Sequence, residues 1–496
     1  MRAPPIDAGR EMRSRDVVER ASSGMARWYE TLTHSGRHQA VRWPALVFAV
    51  WVAMRLGGHV PVAAVGPTWF VSGVVLTAFL TCRRFVAAVV AVLAAVVLGA
   101  HAWHHVTPTV VGACDGVVRL IDDPVASANV ARVVVELHGV RYDARAYGRH
   151  SVALARINAG EAVTVRARCS SLSARDVAYS RPRHVLGRMM IITVGDRRDS
   201  GSALSRSALW VRTRVAQGAR TMGAAEQSLF TGLVIGDDAR QPHAMVEAFR
   251  ASGLGHLCAV SGQNVAYVLV AFSFLLRRLR PVPRLVATIL VVGWFVVVTR
   301  VEPSVVRAGA MAIATAWTFH RGSGRTAPDV LAISSLAALF VDPMLAWSVG
   351  FLLSVSASLG LVTLSAPLGR VIPSPLAHVL APALAAQVAT APVALSTFGQ
   401  LPVIALAANC IATPLAGVVM LVGLPVTMVA AHLPDVAARL CITPLEILVR
   451  VVWWTATVAE SISPHGAWNV GAWLVVLVVV MWRVRRRSVT PLWQPM

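Results

Sequence analysis

Apolar runs long enough to cross a lipid bilayer recur along most of this chain, and they fix its fold class before any motif is considered. About 20 helical residues span a hydrocarbon core of ~30 Å. Candidate crossings lie at 44–60, 66–81, 85–103, 256–276, 284–300, 303–319, 328–341, 345–364, 376–396, 403–431, 440–460 and 468–483. They predict a polytopic α-helical membrane protein with about 10–12 transmembrane helices. The run at 328–341 is short, and 440–460, which holds Glu446, Arg450 and Glu460, has the alternative of lying along the interface. Composition agrees: 56% of the 496 residues are hydrophobic and only 14% charged. A soluble domain carries ~25% charged residues, so an ordinary soluble protein and a disordered one are both excluded.

The texture changes between 107 and 202, where fourteen arginines and nine acids replace the apolar runs. Short alternating segments at 116–121, 130–138, 140–147, 150–156, 161–169 and 188–194 read as strands, punctuated by Gly139, Gly148, Gly160 and Asp122-Asp123-Pro124. Five or six such strands suggest an inserted small β-barrel, OB-like, with a generic β-sandwich as the alternative. Cys114 and Cys169 are its only cysteines. In an oxidising compartment they would pair, restraining the unfolded chain by roughly 4 kcal/mol in the entropic account; otherwise they are unrelated buried thiols.

Charge orients the chain. The formal net charge is +22, and every basic residue is an arginine. Without lysine there is no Walker-A phosphate loop and no Schiff-base chemistry. Basic clusters at Arg37 and Arg42, Arg83 and Arg84, Arg277 to Arg284, Arg321 and Arg325, and Arg483 to Arg487 can all face the cytoplasm if three helices precede the polar domain. The expected organisation is a cytoplasmic N-terminal tail (1–43), three transmembrane helices (44–106), an extracytoplasmic β domain (107–202), an amphipathic interfacial helix (203–222), a membrane domain (223–483) and a basic cytoplasmic tail (484–496). Both termini are then cytoplasmic, in the cell membrane. The interfacial helix would turn Arg206, Arg212, Arg214 and Arg220 outward. About forty polar residues precede the first apolar run, unlike a signal peptide.

Polar side chains among apolar spans are costly and mark function by default. Gly253, Gly255 and Gly262 break the chain beside His256, Ser261, Gln263 and Asn264 just before a long apolar helix, which makes this the best candidate for a pore or site. The alternative is a loop outside the bilayer with Ser261 or Asn264 capping the helix. Arg307 is the sharpest single candidate, since arginines suit anion or phosphate pores; the alternative is an ion pair with Glu302 or another acid. Gln387, Gln400 and Asn409 complete the candidate path, with helix–helix hydrogen bonding as the other reading for Gln387 and Asn409. Asp237, Asp238, Arg250 and Asp342 are further intramembrane polar groups. The scattered cysteines and the small cluster His101, His104 and His105 form no zinc pattern. No catalytic constellation assembles, so neither an enzyme nor a metal or other cofactor is expected.

Two runs carry a resemblance: Leu229-Phe-Thr-Gly-Leu-Val-Ile-Gly-Asp237, and Ala248-Phe-Arg-Ala-Ser-Gly-Leu-Gly-His-Leu-Cys-Ala-Val-Ser-Gly262. With Pro303-Ser-Val-Val-Arg-Ala308, Asp342-Pro343, Trp347-Ser-Val-Gly-Phe-Leu-Leu-Ser354, Gln387-Val-Ala-Thr-Ala-Pro392, Phe398-Gly-Gln400 and Ala408-Asn-Cys-Ile-Ala-Thr-Pro414, they resemble, in order, the membrane domain of the ComEC family. The resemblance implies an inner-membrane channel that passes single-stranded DNA into the cytoplasm during natural transformation. It also implies a cytoplasmic helicase-like ATPase as motor and an extracytoplasmic DNA receptor. In the β domain, Tyr142, Tyr147 and Tyr179 would be available for stacking on bases. Two departures stand out. The family commonly has Leu-His where this chain has Gln263-Asn264, and no HxHxDH-type zinc motif of its metallo-β-lactamase-like domain occurs. The family's nuclease function is therefore not carried over to this chain, and a separate nuclease is a possible partner. The rival functions are a secondary transporter of a small anion, which predicts inverted repeats, and an intramembrane enzyme.

Overall fold

The computed structural model describes residues 42–59, 83–104, 110–127, 129–199, 202–258, 262–321, 326–372, 377–464 and 466–488. The candidate crossing at 66–81 and both tails lie outside these residues. Two apolar helices come first, α1 (Arg42–Gly57) and α2 (Arg83–His104), packed so closely that a Cβ on Gly99 would meet the Met54 backbone oxygen at 2.3 Å.

The polar insert is a seven-stranded sheet: β1 (Gly112–Ala113), β2 (Gly116–Leu120), β3 (Val125–Ser127), β4 (Val130–Leu137), β5 (Val140–Tyr147), β6 (Ala162–Ser171) and β7 (Val185–Asp199). Alternation drives β4, which buries Ala131, Val133, Val135 and Leu137 and turns Arg132 outward. It returns as β5 through His138 and Gly139, whose φ values of 50° and 80° meet the demand of a two-residue hairpin turn. The strand path runs β1-β6-β2-β4-β5-β7, with β3 on β4, β5 parallel to β7, and a further β6–β7 pairing. Val118, Leu120, Val163, Val165, Met189 and Ile191 fill its core. Cys114 and Cys169 are joined by a disulfide between the β1–β2 turn and β6.

Residues 150–156, expected as a strand, form instead the helix α3 (Arg149–Leu154), followed after β6 by a second short helix, α4 (Ala174–Ser180). Ser151 and Leu154 are its buried positions, a spacing of three that suits one helical turn as well as the alternation suited a strand.

After the sheet the chain is helical throughout: α5 (Ala203–Gly218), α6 (Ala224–Ile235), α7 (His243–Ala251), the single turn α8 (Gly255–Cys258), α9 (Gly262–Leu276), α10 (Pro281–Val298), α11 (Pro303–His320), α12 (Ala327–Val341), α13 (Val349–Val371), α14 (Ala377–Phe398), α15 (Ala405–Ala430), α16 (Asp435–Ile462) and α17 (Ala467–Ser488). Four of these, α10, α13, α14 and α15, are long and apolar enough to cross a membrane; α9, α12 and segments of α1, α2 and α17 are shorter apolar helices. Pro343 opens a 3-10 turn (Pro343–Trp347), whereas Pro392 and Pro414 lie inside α14 and α15.

At the centre is α6, in which every side chain from Ser228 to Ile235 is buried. It is enclosed by α5, α8, α15 and α16; Ile442, Leu445, Val449 and Val452 of α16 join the same core, and α7 packs on α16. Helix α5 differs from its sequence reading. Arg212, assigned to an outward basic face, is buried with Val211 and Val215, and a Cβ on Gly218 would sit 2.1 Å from the Thr427 oxygen of α15. The spacing identified the helix correctly but could not tell that one of its arginines had carboxylates waiting inside.

Candidate functional site

The head of α9 is where the breaker glycines become geometry. Gly253 has a φ of 74°, and a Cβ there would lie 2.6 Å from the Ala405 Cβ of α15. A Cβ on Gly262 would lie 2.8 Å from the Ala308 Cβ and 3.3 Å from an Arg307 Nη2. Glycine at these two points lets the broken segment pack onto α15 and lets α9 begin directly against the guanidinium of α11.

Arg307 is only 5% exposed. Its Nη1 donates to the Ser358 hydroxyl at 3.3 Å and to the Ser354 carbonyl at 3.4 Å, both on α13, and approaches the Met311 sulfur at 3.7 Å. Its Nε is buried without a partner. The ion pair with Glu302 offered by the sequence is not formed, and among the described residues no carboxylate lies within ion-pair distance of Arg307. An enclosed guanidinium held by neutral oxygens alone is short of hydrogen-bond acceptors and of negative charge.

The other candidates divide. Gln263 is exposed and donates to the Tyr267 hydroxyl at 2.8 Å. Asn264 is buried and donates to the Leu233 carbonyl at 2.7 Å, fastening α9 to α6. Gln387 donates to the Pro402 carbonyl at 2.9 Å while its own side-chain oxygen is buried without a partner. Gln387 and Gly253 therefore meet the same 402–405 turn. Asn409 accepts from Thr413 one turn on, at 3.0 Å. His256, Gln400, Arg250, Asp238 and Glu302 are exposed, and Ser261 lies outside the described residues. Asp342 caps Met344 and contacts the His184 ring at 3.0 Å, tying the 3-10 turn after α12 to the segment just before β7. Among the described residues no group of three or more metal-ligating side chains gathers.

A second cluster was not anticipated. Arg212 donates to Asp123 at 2.7 Å and to the carbonyls of Ile235 and Val298 at 2.9 and 3.2 Å, with Asp237 at 3.8 Å. Arg300 reaches the other Asp123 oxygen at 2.9 Å and the Ala159 carbonyl at 3.0 Å. Asp123, expected only as turn punctuation, thus clasps the sheet to the helical domain. Burial pushes its carboxyl up, but Arg212, Arg300 and the Ala159 N–H outweigh burial and hold it below the usual range. Its neighbour Asp122 goes the other way, raised chiefly by burial. Arg300 and Val301 both have positive φ, 60° and 58°, a strained pair that aims Arg300 at the sheet.

The sheet also carries a cavity of about 490 Å³, lined by Asp122, Asp123, Arg132, Asp143, Arg145, Tyr179 and Arg183 among others. Tyr179 and Tyr147 are 66% and 48% exposed. Tyr142, expected to stack on a ligand, is instead buried in the sheet core at 1% exposure, because the β5 register turns it inward opposite Val135.

Helices of this length and hydropathy define a membrane protein. A family profile described as "Competence protein" matches residues 233–487. That is more than half of the chain, which belongs to the ComEC/Rec2 family of competence proteins. The chain is also 27% identical over 186 residues to "ComE operon protein 3" of Bacillus subtilis (strain 168), across 37% of this chain and 24% of that protein, so it aligns with about a quarter of the relative's length. No solved structure matches the chain significantly.

Proposed function

We propose that this chain is a conduit for single-stranded DNA across the cell membrane during natural transformation. One observation carries the reading: Arg307, enclosed among apolar helices against the head of α9, has hydrogen-bonding capacity left over and, among the described residues, no carboxylate to neutralise it. A buried charge in a membrane domain is expensive unless it serves passage, and a passing phosphate supplies both the missing acceptor and the missing charge. His256, Gln263, Gln387, Gln400 and Asn409 border the same broken region or the helices that meet it, as neutral groups suited to sequence-independent contact. Membership in a competence family supports a role in DNA uptake.

The polar domain receives the strand on the extracytoplasmic side. Its pairings close through β6, β2, β4, β5 and β7 back to β6, with β5 parallel to β7, which supports an OB-like reading. Tyr179 offers an aromatic face in a cavity shared with Arg132, Arg145 and Arg183 and with Asp122, Asp123 and Asp143, and Tyr147 is a second exposed ring on the sheet. Both termini are cytoplasmic, where a helicase-like ATPase supplies the pull, and a DNA receptor acts outside.

The test is uptake of labelled duplex DNA by the native host carrying Arg307→Gln. The expected result is surface-bound DNA at the normal level with no labelled strand in the cytoplasm. Normal transformation by this variant and by the deletion strain, with a small-anion transport defect instead, would end the proposal.

A further inference from the structure

The turn between α9 and α10 carries Arg277, Arg278, Arg280 and Arg284, and α11 closes on Arg321. These five share one end of the domain. A four-residue link reverses the chain between α9 and α10 and another reverses it between α10 and α11; both of the latter helices have 18 residues, so the C-terminus of α11 returns to the level of that turn.

Several arginines elsewhere in the molecule are paired: Arg132, Arg188, Arg212, Arg300 and Arg450 each contact a carboxylate. At this end, by contrast, none of Arg277, Arg278, Arg280 and Arg321 has a carboxylate within ion-pair distance among the described residues, and all four are exposed. Two of them lie on aromatic rings, Arg278 4.0 Å from the Phe274 ring centre and Arg321 4.8 Å from that of Trp317. Phe274 and Trp317 are themselves 68% and 47% exposed, on a flank continued by exposed Leu275, Val282 and Val286. That flank is apolar and faces outward from the helices, as a lipid-facing surface does. A guanidinium resting on such a ring is held at the depth where the apolar flank ends and phosphates begin, with its N–H donors unspent.

We propose that this arginine rim is a binding site for acidic phospholipid headgroups, fixing the α9–α11 hairpins in the leaflet they face. The outward flank selects lipid over a nucleic-acid strand, whose path would lie between helices rather than around them. The inference is independent of the function proposed above.

The test uses the purified full chain in nanodiscs of phosphatidylcholine alone or with one third phosphatidylglycerol. The acidic lipid should raise the melting temperature of the wild type by about 3–5 °C, less at high salt. Joint replacement R277Q/R278Q/R280Q/R321Q should abolish that gain while leaving the melt in phosphatidylcholine unchanged, and the corresponding lysine variant should keep most of it. A glutamine variant that retains the full gain overturns the proposal. So does an oligothymidylate that reproduces the gain in phosphatidylcholine discs through the same arginines. Native mass spectrometry of the wild type needs no variant: preferential retention of phosphatidylglycerol supports the site, and equal retention of both lipids overturns it.

Discussion

Arg212 and Arg307 are both enclosed, both on helices that follow the sheet, and indistinguishable by residue type, yet their surroundings are opposite. Arg212 sits between two carboxylates and two backbone carbonyls, and its charge is spent on holding the sheet against the helices. Arg307 meets one hydroxyl, one carbonyl and a sulfur, and its Nε has nothing. A buried arginine is thus evidence of function only after its partners are counted. The first is saturated and belongs to the architecture; the second is left wanting, at the place where the helix is broken.

The difference can be broken most directly from the Arg212 side. Arg212→Met strands Asp123 and Asp237 without their cation, and thermal melting of the purified protein should register a loss of about 3–5 kcal/mol. Adding Asp123→Asn should restore part of it. A neutral outcome for Arg212→Met would mean the clasp is not what holds the sheet in place.

At Arg307 the prediction inverts. Arg307→Leu should leave stability unchanged or improved, while the rate of DNA entry falls by about 100-fold, the equivalent of the ~3 kcal/mol a charge is worth in the bilayer interior. Transformation frequency and melting temperature measured on the same variant decide between the two roles. A variant that unfolds without selectively losing uptake would place Arg307 beside Arg212 as a structural group.

The two adjacent acids of the clasp sharpen the comparison through pH. Asp123 has a depressed carboxyl, so its stabilisation is complete above the unfolded value near 3.8 and is lost as pH falls through the lower folded value. Asp122 is raised, so its charged form costs stability at neutral pH, and the cost disappears as acid protonates it. Melting temperature should rise slightly and then fall as pH drops from 7 toward 2. Asp122→Asn should remove the rise and Asp123→Asn the fall; a profile unchanged by either would disconnect these carboxyls from the clasp. The smallest effect is that of Asp122→Asn at neutral pH, a gain under about 1 kcal/mol, since the nearby Arg183, Arg141 and Arg300 already offset much of the burial cost.

Much of the molecule was legible because the signals are local. Hydropathy over eighteen residues found α10, α13, α14 and α15, and alternation over eight found β4 and β5. The breaker glycines located the head of α9. Local pattern failed where two periods fit equally well, as at 150–156, and where register chose a face, as with Tyr142. Asn264 was legible as a polar residue in an apolar setting, but nothing nearby in sequence reveals that its partner is the Leu233 carbonyl.

By itself the sequence determined that this chain is built of apolar helices around a polar insert of strands, that its cations are all arginines, and where its helices break. Tertiary structure alone decided which arginine is neutralised: Asp123 lies 89 positions from Arg212, and among the described residues no comparable acid reaches Arg307. Secondary structure and hydropathy follow from neighbours a few residues apart. Electrostatic energy depends on distance through space, which chain separation does not reveal.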